Sequence, residues 1–123
     1  MKYADIIFND FSAAPGVSVT VFVQGCPIHC KGCHNPELQS FGAGKDFDGN
    51  VLHSIIDALD ENGIDRNLCI MGGEPLCDEN KFLTYMIIEK VKEIYPDKKT
   101  YVWTGYTLEE LVNRQDQRTN QIL

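Results

Sequence analysis

No stretch of this chain comes near the roughly 18 consecutive apolar residues that a membrane span requires. The N-terminus, MKYADIIFNDF, lacks the apolar core of a secretory signal, and Asp5 and Asp10 interrupt it. Positive charge is scarce: 11 Lys and Arg stand against 18 Asp and Glu, a formal net charge of -7. An acidic surface repels phosphate backbones, which argues against nucleic acid as a partner, local basic spots such as Lys98 and Lys99 notwithstanding. There is no internal repeat of fixed period, no low-complexity tract and no obvious catalytic triad. An even cysteine count is missing too, since the chain has 5. A secreted disulfide scaffold usually carries an even number behind a signal peptide. Together these absences predict a cytoplasmic protein without a membrane or nucleic-acid partner. In that reducing compartment, clustered cysteines bind metal or do chemistry.

What is present fits one domain over residues 1–123. The length allows one modest core, and 43% hydrophobic with 24% charged residues is the balance of a globular fold. Residues 17–24, VSVTVFVQ, alternate, with Val17, Val19, Val21 and Val23 on one side and Ser18, Thr20, Phe22 and Gln24 on the other. Period and β-branching predict a strand, opened by Pro15-Gly16 and closed by Gly25. Residues 36–50, with a proline and several glycines, read as loop. A helix is predicted over 51–61, with Leu52, Ile55, Ile56 and Leu59 on one face and Asn62-Gly63 as its stop. LCIM at 68–71 reads as a buried strand. A second helix is predicted over 80–95, with Leu83, Ile87, Val91 and Ile94 as its core stripe and Pro96 past its end. TYVW at 100–103 reads as a third strand. Thr107-x-x-Glu110 forms a capping box that opens a last helix with Leu108, Leu111 and Val112 inward.

Strands alternating with helices imply an α/β fold of parallel βαβ units with right-handed crossovers. Chemistry in such folds collects at the carboxyl ends of the strands. Three unusual segments follow the three strands: CPIHCKGCHN at 26–35, GGEP at 72–75, and Thr104-Gly105-Tyr106. All three are expected on one rim.

Cys26, Cys30 and Cys33 are spaced C-x3-C-x2-C. Structural zinc wants four tetrahedral ligands, usually from two separate C-x2-C halves. Here there is one clump and no second C-x-x-C, so His29, His34, Cys69 or Cys77 would have to complete the set. A redox pair at Cys30-Lys31-Gly32-Cys33 leaves the third cysteine without a role. In a [4Fe-4S] cluster each iron wants a terminal ligand, so three thiolates fill three corners and leave one iron open to a substrate. Gly25 and Gly32 give the backbone freedom to bend around such a group. Elsewhere, Cys69 and Cys77 read as buried small residues, His53 as surface, and His29 as solvated. Trp103 and Tyr106 read equally as packing residues or as ligand contacts.

C-x3-C-x2-C in a loop after the first strand resembles the signature of radical S-adenosylmethionine (SAM) enzymes. With VFVQGC, the Gly32-Cys33 pair, GGEP and Trp103-Thr104-Gly105-Tyr106 in this order, the chain from about Pro15 onward is similar to the glycyl-radical activase branch. Within that branch it resembles the activating proteins of anaerobic ribonucleoside-triphosphate reductase. The resemblance implies a partial (β/α) barrel of the radical SAM type, with parallel strands and helices outside. It implies Cys26, Cys30 and Cys33 as metal ligands. Gly32, Cys33 and His34 would lie by the SAM adenine, and Gly72, Gly73, Glu74 and Pro75 would hold its methionine amino group through their backbone. It further implies an oxidoreductase without catalytic side chains, since the cofactors carry the chemistry. Reductive cleavage of SAM would generate a radical that takes a hydrogen atom from a glycine of the partner reductase. Reduced flavodoxin or a similar donor would supply the electron. A small radical SAM enzyme acting on a metabolite and a non-catalytic metal-binding module are the alternatives. Family members continue past the point where this sequence ends at NQIL. The barrel is therefore expected to be short at its C-terminus, with an uncovered edge strand that favours self-association.

Overall fold

The valine-rich segment forms a strand because every second residue is β-branched and buried on the same side. The computed structural model describes residues 2–12, 16–25, 44–104, 106, 107, 109 and 112. Within them, the chain runs β1 (Lys2–Asp10), β2 (Ser18–Val23), β3 (Lys45–Asp46), α1 (Gly49–Ala58), β4 (Asn67–Gly72), α2 (Lys81–Ile94) and β5 (Thr100–Val102). The five strands form one sheet in the order β3-β1-β2-β4-β5. β2 pairs with β4 in parallel from Ser18↔Asn67 to Val23↔Gly72, and β4 pairs with β5 in parallel from Leu68↔Thr100 to Ile70↔Val102.

The expectation of parallel strands throughout is corrected on the other side of the sheet. β1 runs antiparallel to β2 and to β3, so the sheet is mixed, and among the described residues it is open. β1 escapes the period-two reading because its register slips between Tyr3 and Asp5 and again between Ile7 and Asp10. Asp10 closes this hairpin from inside. Its carboxylate accepts from the Ser12 N–H (2.9 Å), the Ser12 hydroxyl (2.8 Å) and the Thr20 hydroxyl (2.7 Å).

The three parallel strands advance across the sheet in one direction. Right-handed crossovers then carry both helices to the same face. Ile55 and Leu59 at the end of α1, and Leu83, Ile87, Ile88 and Val91 of α2, join one buried cluster with Val19, Val21, Val23, Leu68 and Ile70 of the sheet. Each such side chain contributes about 1.5–3 kcal/mol of burial. β2 is a central strand buried on both faces, because Ser18 and Thr20 are as inaccessible as its valines.

The helix boundaries follow local chemistry. Asp48 caps α1, its side chain accepting from the Val51 N–H at 3.0 Å, so the helix begins before the expected residue 51. It ends at Ala58. A 3-10 turn (Glu61–Gly63) follows, with Asn62 at φ 59 and Gly63 at φ 72, so the expected Asn-Gly pair takes the left-handed conformation in this turn rather than ending α1, which stops before the expected residue 61. The stripe of α2 holds from Leu83 to Val91, but Ile94 in the last turn is 45% exposed. The last predicted helix lies mostly outside the described residues, and Val112, expected inward, is exposed.

Candidate functional site

The three parallel strands end together, and each end is tied to its neighbour by named bonds. β2 is followed by Gln24 and Gly25, both buried. Gly25 sits at φ 101, where a side chain would be strained, and it redirects the chain just before Cys26. Cys26, His29, Cys30, Gly32, Cys33 and His34 lie outside the described residues.

β4 ends in the glycine motif. Gly72 has φ +109, and a Cβ there would lie 2.8 Å from both N and O of Val23. Only glycine lets the motif press flat on β2. The next two N–H groups extend the ladder past the strand: Gly73 donates to Val23 O at 3.0 Å and Glu74 to Gly25 O at 2.8 Å. Pro75 is buried, and its carbonyl accepts from the Thr84 hydroxyl of α2 at 2.7 Å, which fixes the turn.

β5 joins through side chains. The Glu74 carboxylate is 1% exposed, and a charge so buried is costly unless bonded. Its Oε2 accepts from the Leu76 N–H at 2.8 Å and from the Thr104 hydroxyl at 2.6 Å. The Tyr106 N–H donates to the Thr104 Oγ1 at 3.2 Å, and the Trp103 N–H to Ile70 O at 2.9 Å. Asn80 completes the set: its side-chain Nδ2 lies 3.1 Å from each of the Gln24, Gly25 and Glu74 carbonyls.

Two of the three expected segments, GGEP and the described part of Thr104-Gly105-Tyr106, therefore share one rim with Gln24 and Gly25, while the expected segment 26–35 lies outside the described residues. The residues sequence reasoning missed are Gln24, Asn80 and Thr104 in its role as partner of Glu74. From sequence Asn80 is only the first residue of the second predicted helix, and nothing in the spacing of Glu74 and Thr104 signals their contact. Glu74 meets expectation in position, but its carboxylate is turned into the fold. Trp103 is 53% exposed beside it.

Cys69 in β4 and Cys77 before α2 are free and buried. Burial pushes the Cys77 thiol up to about 11, so it stays protonated at neutral pH. Both behave as the structural residues expected. His53 is a surface residue 3.2 Å from Asp57. A cavity of about 480 Å3 lies at the opposite end of the sheet, lined among others by Ile64, Asp65, Tyr95 and Lys98. No rim residue contributes to it. Among the described residues, no group of three or more His, Cys, Asp or Glu could hold a metal ion. None of their helices is long and apolar enough to cross a membrane.

A family model described as a 4Fe-4S single cluster domain matches residues 13–123. The chain is also similar to proteins named anaerobic ribonucleoside-triphosphate reductase-activating protein. That of Pasteurella multocida is 38% identical over 100% of this chain and 77% of its own length. That of Haemophilus influenzae is 39% identical over 94% and 75%, and that of Escherichia coli K12 is 32% identical over 90% and 73%. No solved structure matches.

Proposed function

Because the chain belongs to the family of anaerobic ribonucleoside-triphosphate reductase-activating proteins, we propose that it is a radical SAM activase whose protein substrate is such a reductase. The observation that carries this reading is the 2.8 Å bond from the Glu74 N–H to the Gly25 carbonyl. It fixes the residue before Cys26 against the glycine motif. A cluster held by the cysteines and a ligand held by the motif would therefore be neighbours.

The donor set fits a [4Fe-4S] cluster. Cys26, Cys30 and Cys33 supply three thiolates, while Cys69 and Cys77 are buried in the fold rather than offered as a fourth. When bound, a reduced cluster held by Cys26, Cys30 and Cys33 would supply one electron to the sulfonium of SAM, the reductive cleavage that would lead to hydrogen-atom abstraction from a glycine of the reductase.

The chain's own task is to bind and orient. Gly73 and Glu74 donate their N–H groups to Val23 O and Gly25 O, and the Glu74 and Pro75 carbonyls already accept from Asn80 and Thr84, so an ammonium would bind the lone pairs that remain on the motif's carbonyl oxygens. This suits Gly72, Gly73, Glu74 and Pro75 to the methionine amino group. Gly32, Cys33 and His34 would face the adenine, by correspondence with the family motif. Glu74 is engaged by Leu76 and Thr104, and the reading needs no acid or base from it. The parallel strands β2, β4 and β5, with α1 and α2 packed on the sheet, would suit part of a (β/α) barrel of the radical SAM type, whose other face would enclose the ligand. Reduced flavodoxin or a similar donor would deliver the electron.

Anaerobic reconstitution with iron and sulfide, followed by dithionite and SAM, tests the proposal. The expected products are 5′-deoxyadenosine and methionine, with a glycine-centred radical once the reductase is added. Cys26→Ala, Cys30→Ala and Cys33→Ala should each abolish cleavage, and cleavage retained in any of them refutes the ligand assignment. Bound zinc without cluster absorbance would favour a non-catalytic metal module instead.

A further inference from the structure

The geometry points to Asn80 as a positioning residue that clamps the entrance of the cysteine run onto the glycine motif. The inference rests on the proposed function. Asn80 stands at the N-cap of α2, where an asparagine side chain ordinarily accepts from an N–H in the first turn. Asn80 makes no such bond. Its side chain turns the other way, and Nδ2 lies 3.1 Å from Gln24 O, Gly25 O and Glu74 O. Three carbonyls fix the orientation of the amide, because only its NH2 end can face acceptors. The residue is 5% exposed, so water offers no substitute.

The choice of targets is what separates this from ordinary packing. Gln24 and Gly25 are the last two residues before Cys26, and Glu74 is the third residue of the motif. One amide therefore joins the two residues that lead into the segment proposed to hold the cluster to the motif proposed to hold SAM. The helix start does not depend on it, since the Lys81 N–H already donates to Cys77 O at 2.8 Å. Asn80 reaches neither ligand itself; it sets the distance between the segments that do.

The test uses the full chain, reconstituted anaerobically. Asn80→Asp keeps the shape but sets a carboxylate against three carbonyls, and Asn80→Ala removes the donors without adding charge. Both variants should keep their full iron content, because the three cysteines remain. Both should bind SAM about tenfold more weakly, the usual scale for losing an outer partner of a metal site. The change that SAM produces in the electron paramagnetic resonance spectrum of the reduced cluster should shrink accordingly. Arg66→Met is the control. Arg66 ties Ala58 O, Glu61 O and Asn9 Oδ1 away from the rim, so its loss should lower the melting temperature and leave SAM affinity and spectrum unchanged. Wild-type affinity and spectrum in both Asn80 variants would overturn the positioning role alone. So would loss of iron in step with stability, or an equal SAM defect in Arg66→Met. A wild-type chain with no SAM-dependent spectrum would overturn the proposed function as well.

Discussion

Gly72 is constrained twice, by a positive φ and by the Val23 backbone 2.8 Å from where a Cβ would sit. Backbone atoms cannot swing aside as a long side chain can. Gly72→Ala should therefore lower stability by about 2–3 kcal/mol, on the scale of a strained non-glycine residue, read from urea unfolding. Thr104 is the complementary case, in which one hydroxyl serves a buried carboxylate. Thr104→Val keeps the shape and removes a 2.6 Å donor from Glu74, which should cost about 1.5–3 kcal/mol. A loss too small to measure would mean that Glu74 finds another donor. Cys77 makes a prediction in pH. Its thiol is raised from 9.0 to about 11 in the fold, so the native state holds its proton longer than the unfolded chain does. Its contribution to stability is full below 9.0 and is lost as pH rises towards 11. Thiol alkylation at pH 8 should accordingly spare Cys77 until denaturant is added, which peptide mapping would show.

At the scale of elements, α1 shows both what was legible and what was not. Its apolar face follows from residue type and period, but its end does not, since α1 stops at Ala58 and Asn62-Gly63 lies in the 3-10 turn beyond it. Its start does not either, because Asp48 lies among loop-like residues and its capping role appears only when its carboxylate meets the Val51 N–H. Asp48→Ala should cost about 1 kcal/mol, measured as a shift in unfolding midpoint with the denaturant slope unchanged. β1 was illegible for another reason. Two register slips break its alternation, and most of its residues from Asp5 to Asn9 are exposed, so neither period nor burial marks the strand. β2 and β4 were legible because each is dense in apolar residues and punctuated by glycine. The stripe of α2 was legible over its buried turns and failed at Ile94, beyond the reach of the sheet.

At the scale of the molecule, the shared rim was legible because parallel strands joined by helical crossovers must end on the same side. What bonds that rim together was not. It depends on Asn80 and Glu74 reaching groups 30 or more positions away, Gln24 and Thr104, and their types suggest other roles. Cluster and SAM should bind the folded chain alone, so they add to its stability by mass action. With SAM at 100 times its dissociation constant, the reconstituted protein should gain about 2.7 kcal/mol, seen as a concentration-dependent melting temperature. Stripping the iron with a chelator should abolish that increment, because SAM would lose the open iron it is proposed to bind.

The pairing of β2 with β4 joins Ser18 to Asn67 and Val23 to Gly72, partners dozens of positions apart. On the ribosome, β2 therefore emerges with β1 at hand, while the segment that anchors Gly25 has yet to be translated. The thiols are made before their scaffold exists. If those thiols hold the proposed cluster, its seat becomes firm only after residue 80 has been synthesised, and delivery to the folded chain is the order this architecture would favour.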